Sequence, residues 1–233
     1  MSAESGVPTF RDALEGLWAR FRPEELATPE AFAADPGLVW RWYQWRRNLV
    51  AESRPNAGHI ALARLAEAIP ALRLITQNVD GLHQQAGSRD VIELHGNLFV
   101  NRCSTEGAAV TIPADTATGD DDGPPPCPRC GAPVRPGVVW FGESLPLDAL
   151  REAESLAAGC DLFLSVGTSA MVMPAAGLAL SALQAGAALV EINPERTALT
   201  PRADYVVQAP SGEALPYLYE QLIAHRHQEN TCD

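Results

Sequence analysis

Thr76-Gln77-Asn78-Val79-Asp80-Gly81-Leu82-His83, followed by Glu93-Leu94-His95-Gly96-Asn97, is the stretch on which the reading of this chain turns. Arg73-Leu74-Ile75-Thr76 is short, apolar and β-prone, and Asn78-Val79-Asp80-Gly81 then breaks it with turn chemistry. A second short strand, Asp90-Val91-Ile92-Glu93-Leu94, delivers His95 to a similar edge, where Gly96 lets the backbone turn sharply. An amide, a carboxylate and an imidazole therefore collect at strand ends. In open α/β sheets the carboxyl ends of the strands are where ligands sit.

Outward from this stretch the α/β rhythm continues. Ala13 to Val50 reads as helical, punctuated by Pro23, Pro29 and Pro36, and Asn56 to Ala68 as an amphipathic helix. Further on, Leu147 to Ala158 reads as helix, Asp161 to Val166 as a buried strand and Pro174 to Gln184 as helix. Ala188 to Ile192 and Tyr205 to Val207 read as strands, and Ala214 to Ile223 as a last helix. Strands alternating with helices predict an α/β fold with a Rossmann-like, doubly wound parallel sheet. Residues 99–138 depart from that rhythm, with short strands and a Cys near each end.

A chain of 233 residues can bury a real core as one large domain or two small ones. Lys+Arg 17 against Asp+Glu 29 gives a formal charge of -12, which argues against nucleic acid or an anionic membrane and suits a basic, lysine-bearing substrate. The longest apolar run, Ala175 to Val190, is interrupted by Gly177, Gln184 and Gly186, so no membrane span is expected. Five cysteines with a close Cys127-Pro128-Arg129-Cys130 pair read as thiols and a metal site, and the expected compartment is the cytoplasm.

The combination resembles the sirtuins, the NAD-dependent protein lysine deacylases, over residues 2 to 225. The resemblance implies a Rossmann-type NAD-binding unit from residues 1–14, 57–97 and 139–233. A small unit would then combine a helical insertion, 15–56, with a zinc-ribbon-like insertion, 98–138. It implies that His95 is the catalytic base that activates a ribose hydroxyl, a task an imidazole suits because its ordinary pKa lies near neutrality. Gln77 would bond the nicotinamide ribose, and Asn78 and Asp80 would line the nicotinamide pocket. Phe10 and Arg11 also match cofactor-binding positions. Gly167-Thr168-Ser169, after the strand ending at Val166, would approach the nucleotide closely with backbone donors. Asn193 matches an adenosine-ribose contact. The implied products are nicotinamide, deacylated lysine and O-acyl-ADP-ribose. Mono-ADP-ribosyl transfer is an alternative that uses the same NAD site.

Val138, Trp140, Phe141 and Gly142, within Val138-Val139-Trp140-Phe141-Gly142-Glu143, resemble the segment that pairs with an extended acyl-lysine peptide, where a strand edge reads backbone without demanding one sequence. Tyr43 and Arg46, three apart on an expected helix, share a face and resemble the Tyr/Arg pair of the desuccinylase and demalonylase branch. Arg grips a carboxylate bidentately and Tyr adds a hydroxyl donor. Ala27 matches a small residue that leaves room for the acyl group. Partners are thus acyl-lysine proteins or peptides, with a monomer expected.

Two positions depart from the family pattern. The second zinc knuckle reads Cys103-Ser104-Thr105-Glu106, with Glu106 where the family usually has a fourth Cys, so the expectation is either a site of Cys103, Cys127, Cys130 and Glu106 or a weakened or absent one. The chain has Ser2-Ala3-Glu4-Ser5-Gly6-Val7-Pro8-Thr9-Phe10-Arg11 but neither the Gly-Ala-Gly motif nor the first strand that precede it in sirtuins. The expectation is an N-terminally truncated chain lacking the first strand of its sheet and its phosphate loop. The second alternative is accordingly an inert peptide- or nucleotide-binding remnant.

Overall fold

The computed structural model describes residues 1–7, 22–112 and 123–229; Phe10 and Arg11 lie outside the described residues. After a 3-10 turn at Ser2–Ser5 come α1 (Pro23–Leu26), α2 (Pro29–Ala34), α3 (Pro36–Glu52) and α4 (Ala57–Ala68). Then follow β1 (Ile75–Thr76), α5 (Leu82–Gln85), β2 (Ile92–Glu93), β3 (Gly96–Cys103) and β4 (Val134–Val138). The chain ends with α6 (Leu147–Gly159), β5 (Leu162–Val166), α7 (Gly177–Ala185), β6 (Ala188–Ile192), β7 (Tyr205–Val207) and α8 (Ser211–Glu229).

Local chemistry sets the helix starts. Pro29 and Pro36 occupy first-turn positions, and the Thr28 and Asp35 side chains accept from Ala31 N and Leu38 N. Asn56 caps α4 by accepting from Gly58 N and His59 N. The last helix begins at Ser211, earlier than Ala214, because the Glu4 carboxylate accepts from Ser211 N at 3.1 Å and Gly212 N at 2.7 Å. An anion at a helix N-terminus meets unpaired N–H groups and the positive end of the macrodipole. No local pattern around Ser211 could announce a cap so distant in sequence.

The parallel sheet comes in two ladders. β1 pairs with β2, and β5, β6 and β7 pair in that order, all parallel. Among the described residues no ladder joins β1 to β5, and both of the first two strands are shorter than the sequence reading. Helices on the two faces span the gap. Leu74, Leu164, Val166, Val190 and Ile192 pack toward α4 and α8 through Leu62, Leu65 and Leu215. Ile75, Ile92 and Phe163 pack toward α6 and α7 through Ala153, Ala157, Leu178 and Ala182. This alternation is the period of a strand covered on both sides, and each buried Leu or Ile contributes roughly 1.5–3 kcal/mol.

β3 and β4 form a separate antiparallel ribbon, with an irregularity between Asn97 and Asn101. The ribbon packs against α3, whose Val39, Trp42, Tyr43 and Val50 join Ala27, Phe32, Leu98, Val138 and Trp140 in one cluster. Trp40 turns to the other side of α3, onto Cys103, Cys127 and Val134. Arg47 bolts α3 to β3 by donating to Leu98 O at 2.7 Å and Asn101 Oδ1 at 2.7 Å. No described helix is long and apolar enough to cross a membrane.

Candidate functional site

The carboxyl ends of β1, β5 and β6 meet, and their side chains are joined. Gln77 Nε2 donates to Thr168 Oγ1 at 3.4 Å, and Asn193 Nδ2 donates to Thr168 O at 2.8 Å. His95 sits in the turn between β2 and β3, with Nδ1 3.0 Å from Gln77 O. A carbonyl only accepts, so Nδ1 carries the proton and the Nε2 lone pair is left to take one. Gly96 makes this turn possible. Its φ is +73°, and a Cβ there would stand 2.1 Å from Gly137 O.

Asn78 and Asp80 follow β1 in the expected turn. Asn78 Nδ2 donates to Ser2 Oγ at 2.7 Å, while the buried Asp80 accepts from Leu82 N at 2.9 Å and so starts α5. Gly167 has a φ of +59°, and a Cβ would stand 2.7 Å from Met1 N, so only glycine admits the close backbone approach. Ser169 follows it, half-buried, in the same turn. Neutral amides and hydroxyls suit ribose hydroxyls and a carboxamide. The donor set at these strand ends therefore fits a nicotinamide nucleotide.

Several supporting residues were not singled out by the sequence reading. Ser2 accepts from Asn78, and Asn56 Nδ2 donates to Met1 O and Ser5 Oγ, both at 3.0 Å, tying the N-terminal turn to α4. Behind Asp80 stand His59 and His83, both buried, with ring centroids 4.8 Å apart. Burial, with His83 adding and Asp80 opposing, lowers His59 to about 4. Burial also lowers His83 against the pull of Asp80, so both rings stay neutral at working pH. A polar residue at a helix cap or on an apolar face carries little signal in isolation, because only the fold shows what it meets.

A second group of candidate residues lies in the apolar cluster between α3 and the β3–β4 ribbon. Ala27, Tyr43, Val138 and Trp140 are all buried and in one cluster. Arg46, one turn after Tyr43 and also buried, lies 5.3 Å from the Trp42 ring centroid. Burial lowers its pKa, and Tyr43 opposes that shift. Trp140 Nε1 donates to Tyr43 Oη at 2.9 Å. The expected edge strand through Glu143 stops short: β4 ends at Val138, and Glu143 N closes a turn onto Trp140 O at 3.0 Å. Gly142, with a φ of +86°, permits that turn, and Phe141 N donates to Ala27 O at 2.9 Å, leaving the Phe141 ring half-exposed.

The three thiols of Cys103, Cys127 and Cys130 lie within 4.8 Å of one another, with Cys103 and Cys130 sulfurs 3.4 Å apart. The Ala132 N–H favours the Cys130 thiolate, but the neighbouring Cys103 and Cys127 sulfurs push its pKa up to about 11. A divalent cation relieves such crowding, so the trio fits zinc. Glu106 is placed differently from the expectation. Its carboxylate pairs with Arg129, from the opposite knuckle, at 2.7 Å and stands outside the thiol cluster. Cys160 is remote in sequence and gives its S–H to Ala157 O at 3.3 Å.

A model of the Sir2 family matches residues 1–174. The NAD-dependent protein deacylase 1 of Pseudomonas aeruginosa is 53% identical over 222 residues, covering 94% of this chain and 89% of that protein. The NAD-dependent protein deacylase 2 of Pyrobaculum aerophilum is 53% identical over 223 residues, covering 95% and 87%. Among solved structures, a Sir2 homolog–NAD complex is 47% identical with a TM-score of 0.87, covering 96% of this chain and 86% of the other. A Sir2 bound to acetylated peptide is 31% identical with a TM-score of 0.82, covering 94% and 88%.

Proposed function

The chain belongs to the Sir2 family, and from that premise we propose that it is an NAD-dependent protein-lysine deacylase favouring acyl groups that end in a carboxylate, succinyl and malonyl, over acetyl. The deacylase reading is supported by the relatives and by the hydrogen-bonded set Gln77, Thr168, Asn193 and His95 at the strand ends. The acyl preference is carried by one observation: a guanidinium, Arg46, buried one helical turn from the Tyr43 hydroxyl in the cluster that also contains Ala27. Bidentate pairing of this guanidinium with a carboxylate on the acyl chain would set the preference.

When bound, NAD supplies an electrophilic ribose carbon and the ADP-ribose that takes up the acyl group. This chain's residues do the rest. Asn78 and Asp80 hold the carboxamide end, while Gln77 and Asn193 orient ribose hydroxyls. His95 Nε2 removes a ribose hydroxyl proton, and the Gln77 carbonyl keeps its ring in the required tautomer. Val138, Trp140, Phe141 and Gly142 receive the peptide beside Ala27. The apolar cluster excludes water, so polar groups already in place act at full strength on developing positive charge. Cys103, Cys127 and Cys130 would hold a structural zinc that fixes the β3–β4 ribbon. Free thiols at these positions suit a reducing, cytoplasmic setting.

Nicotinamide release from NAD is measured with matched succinyl-lysine and acetyl-lysine peptides. Arg46→Met should lower kcat/KM for the succinyl peptide about tenfold or more while sparing the acetyl peptide, as loss of a charge-assisted bond of ~1.5–3 kcal/mol requires. Equal losses on both peptides would remove the acyl assignment, and no nicotinamide from either would remove the deacylase reading.

A further inference from the structure

Arg135 is the centre of the structure around Trp140. Its guanidinium carbon lies 3.3 Å from the Trp140 ring centroid. NH1 and NH2 donate to the two Glu143 carboxylate oxygens at 2.5 and 2.9 Å, and NH2 also donates to Val138 O at 3.0 Å. Glu143 Oε2 in turn accepts from Trp140 N at 2.8 Å. The pair is largely buried, with the Arg135 and Glu143 side chains 15% and 26% exposed. Both the ring and the backbone of Trp140 are thus held by one ion pair.

What that indole does matters for acyl recognition. An indole N–H can only donate, so Tyr43 Oη is the acceptor in the 2.9 Å bond. The Tyr43 O–H proton is therefore left to be given elsewhere. Burial holds Tyr43 well above the ordinary phenol range, so it remains a donor at any working pH. Arg46 on the following turn supplies a positive charge beside it.

We propose that Arg135 and Glu143 are specificity-positioning residues: they fix the Trp140 indole so that its N–H takes up the Tyr43 oxygen and leaves the Tyr43 proton for the terminal carboxylate of the acyl group. This rests on the carboxylate-acyl reading above. A freely turning indole would release Tyr43, whose hydroxyl could then rotate away from the pocket. An acetyl group has no terminal oxygen and gains nothing from the arrangement. A partly buried ion pair is often no net source of stability, which makes a geometric role the reason to keep one.

The test compares kcat and KM on succinyl- and acetyl-lysine peptides for the wild type, Arg135→Met and Glu143→Gln. Glu143→Gln removes the charge of the pair while keeping its size, so it covers the case in which Arg135→Met fails to fold. Arg135→Met should raise KM for the succinyl peptide about tenfold, the equivalent of one lost hydrogen bond of ~1.4 kcal/mol, with KM for NAD and acetyl turnover changed less than about twofold. Glu143→Gln, which keeps an acceptor for Trp140 N, should show an intermediate loss. Losses of equal size on both peptides, or a parallel rise in KM for NAD, would show a merely structural role and overturn the proposal. A wild type that turns over acetyl but not succinyl peptide overturns the carboxylate-acyl reading itself, and this inference with it.

Discussion

Replacing Gly96 by alanine tests the link between backbone geometry and chemistry most directly. The new Cβ would stand 2.1 Å from Gly137 O and 3.3 Å from Val138 Cα, and backbone atoms cannot swing aside as a side-chain tip can. The residue also has a φ of +73°, which costs an L-residue roughly 1–2 kcal/mol. Relieving the clash must push β3 and β4 apart at the Gly96–Val138 pairing and weaken the bond from Val139 N to His95 O, now 2.9 Å. Each ladder bond lost costs about 1 kcal/mol, so the total comes to about 3 kcal/mol. For a chain of this size that lowers Tm by roughly 6–12 °C. Gly186→Ala is the control: its φ is +97° but nothing lies within 4 Å, so it carries the strain alone and should lose roughly 2–8 °C. Because His95 adjoins the displaced residue, nicotinamide release should also fall about a hundredfold, as for a reacting group misplaced by ~1 Å. Differential scanning calorimetry and a nicotinamide assay on both variants decide it. A Gly96 variant that melts with the Gly186 variant and keeps full turnover would refute the reasoning.

Three more outcomes are expected. Burial works against ionisation of Glu4, but its bonds from Ser211 and Gly212 and the Met1 ammonium hold its pKa below the usual range. Its stabilisation is therefore complete above about 4.5 and disappears as pH falls through the depressed value. Glu4→Gln should cost about 1 kcal/mol at pH 7 in chemical denaturation and nothing at pH 2; an equal cost at both would sink the cap assignment. His59, lowered from 6.5 to about 4, has the opposite charge but loses stability in the same direction. The unfolded chain takes up the proton first, so stability is whole above pH 6.5 and declines toward pH 4. His59→Gln should flatten the Tm profile across that window, and an unchanged slope would exclude His59 as its cause. Finally, Cys130→Ser should abolish zinc retention measured by atomic absorption, whereas Glu106→Gln should leave it unaltered, because Glu106 is engaged by Arg129. Zinc retained by the Ser variant, or lost from the Gln variant, would contradict this arrangement of ligands.

The sequence by itself determined the class of fold, the family and the strand ends at which Gln77, Asn78, Asp80 and His95 collect. These rest on local facts: strand periodicity, turn residues and motif spacing act over a few residues and are legible there. The family resemblance also paired Tyr43 with Arg46, which helical spacing puts on one face. The tertiary structure alone decided which groups meet across long separations. It set Glu4 on the first turn of α8 and Ser2 against Asn78, and it gave Glu106 to Arg129. It ended β4 at Val138 and locked the following turn through Arg135, so that Trp140 reaches Tyr43. The physical reason is common to all of these. A hydrogen bond or ion pair between distant residues leaves no periodic trace in the chain, because its partner is chosen by packing and burial rather than by neighbours in sequence.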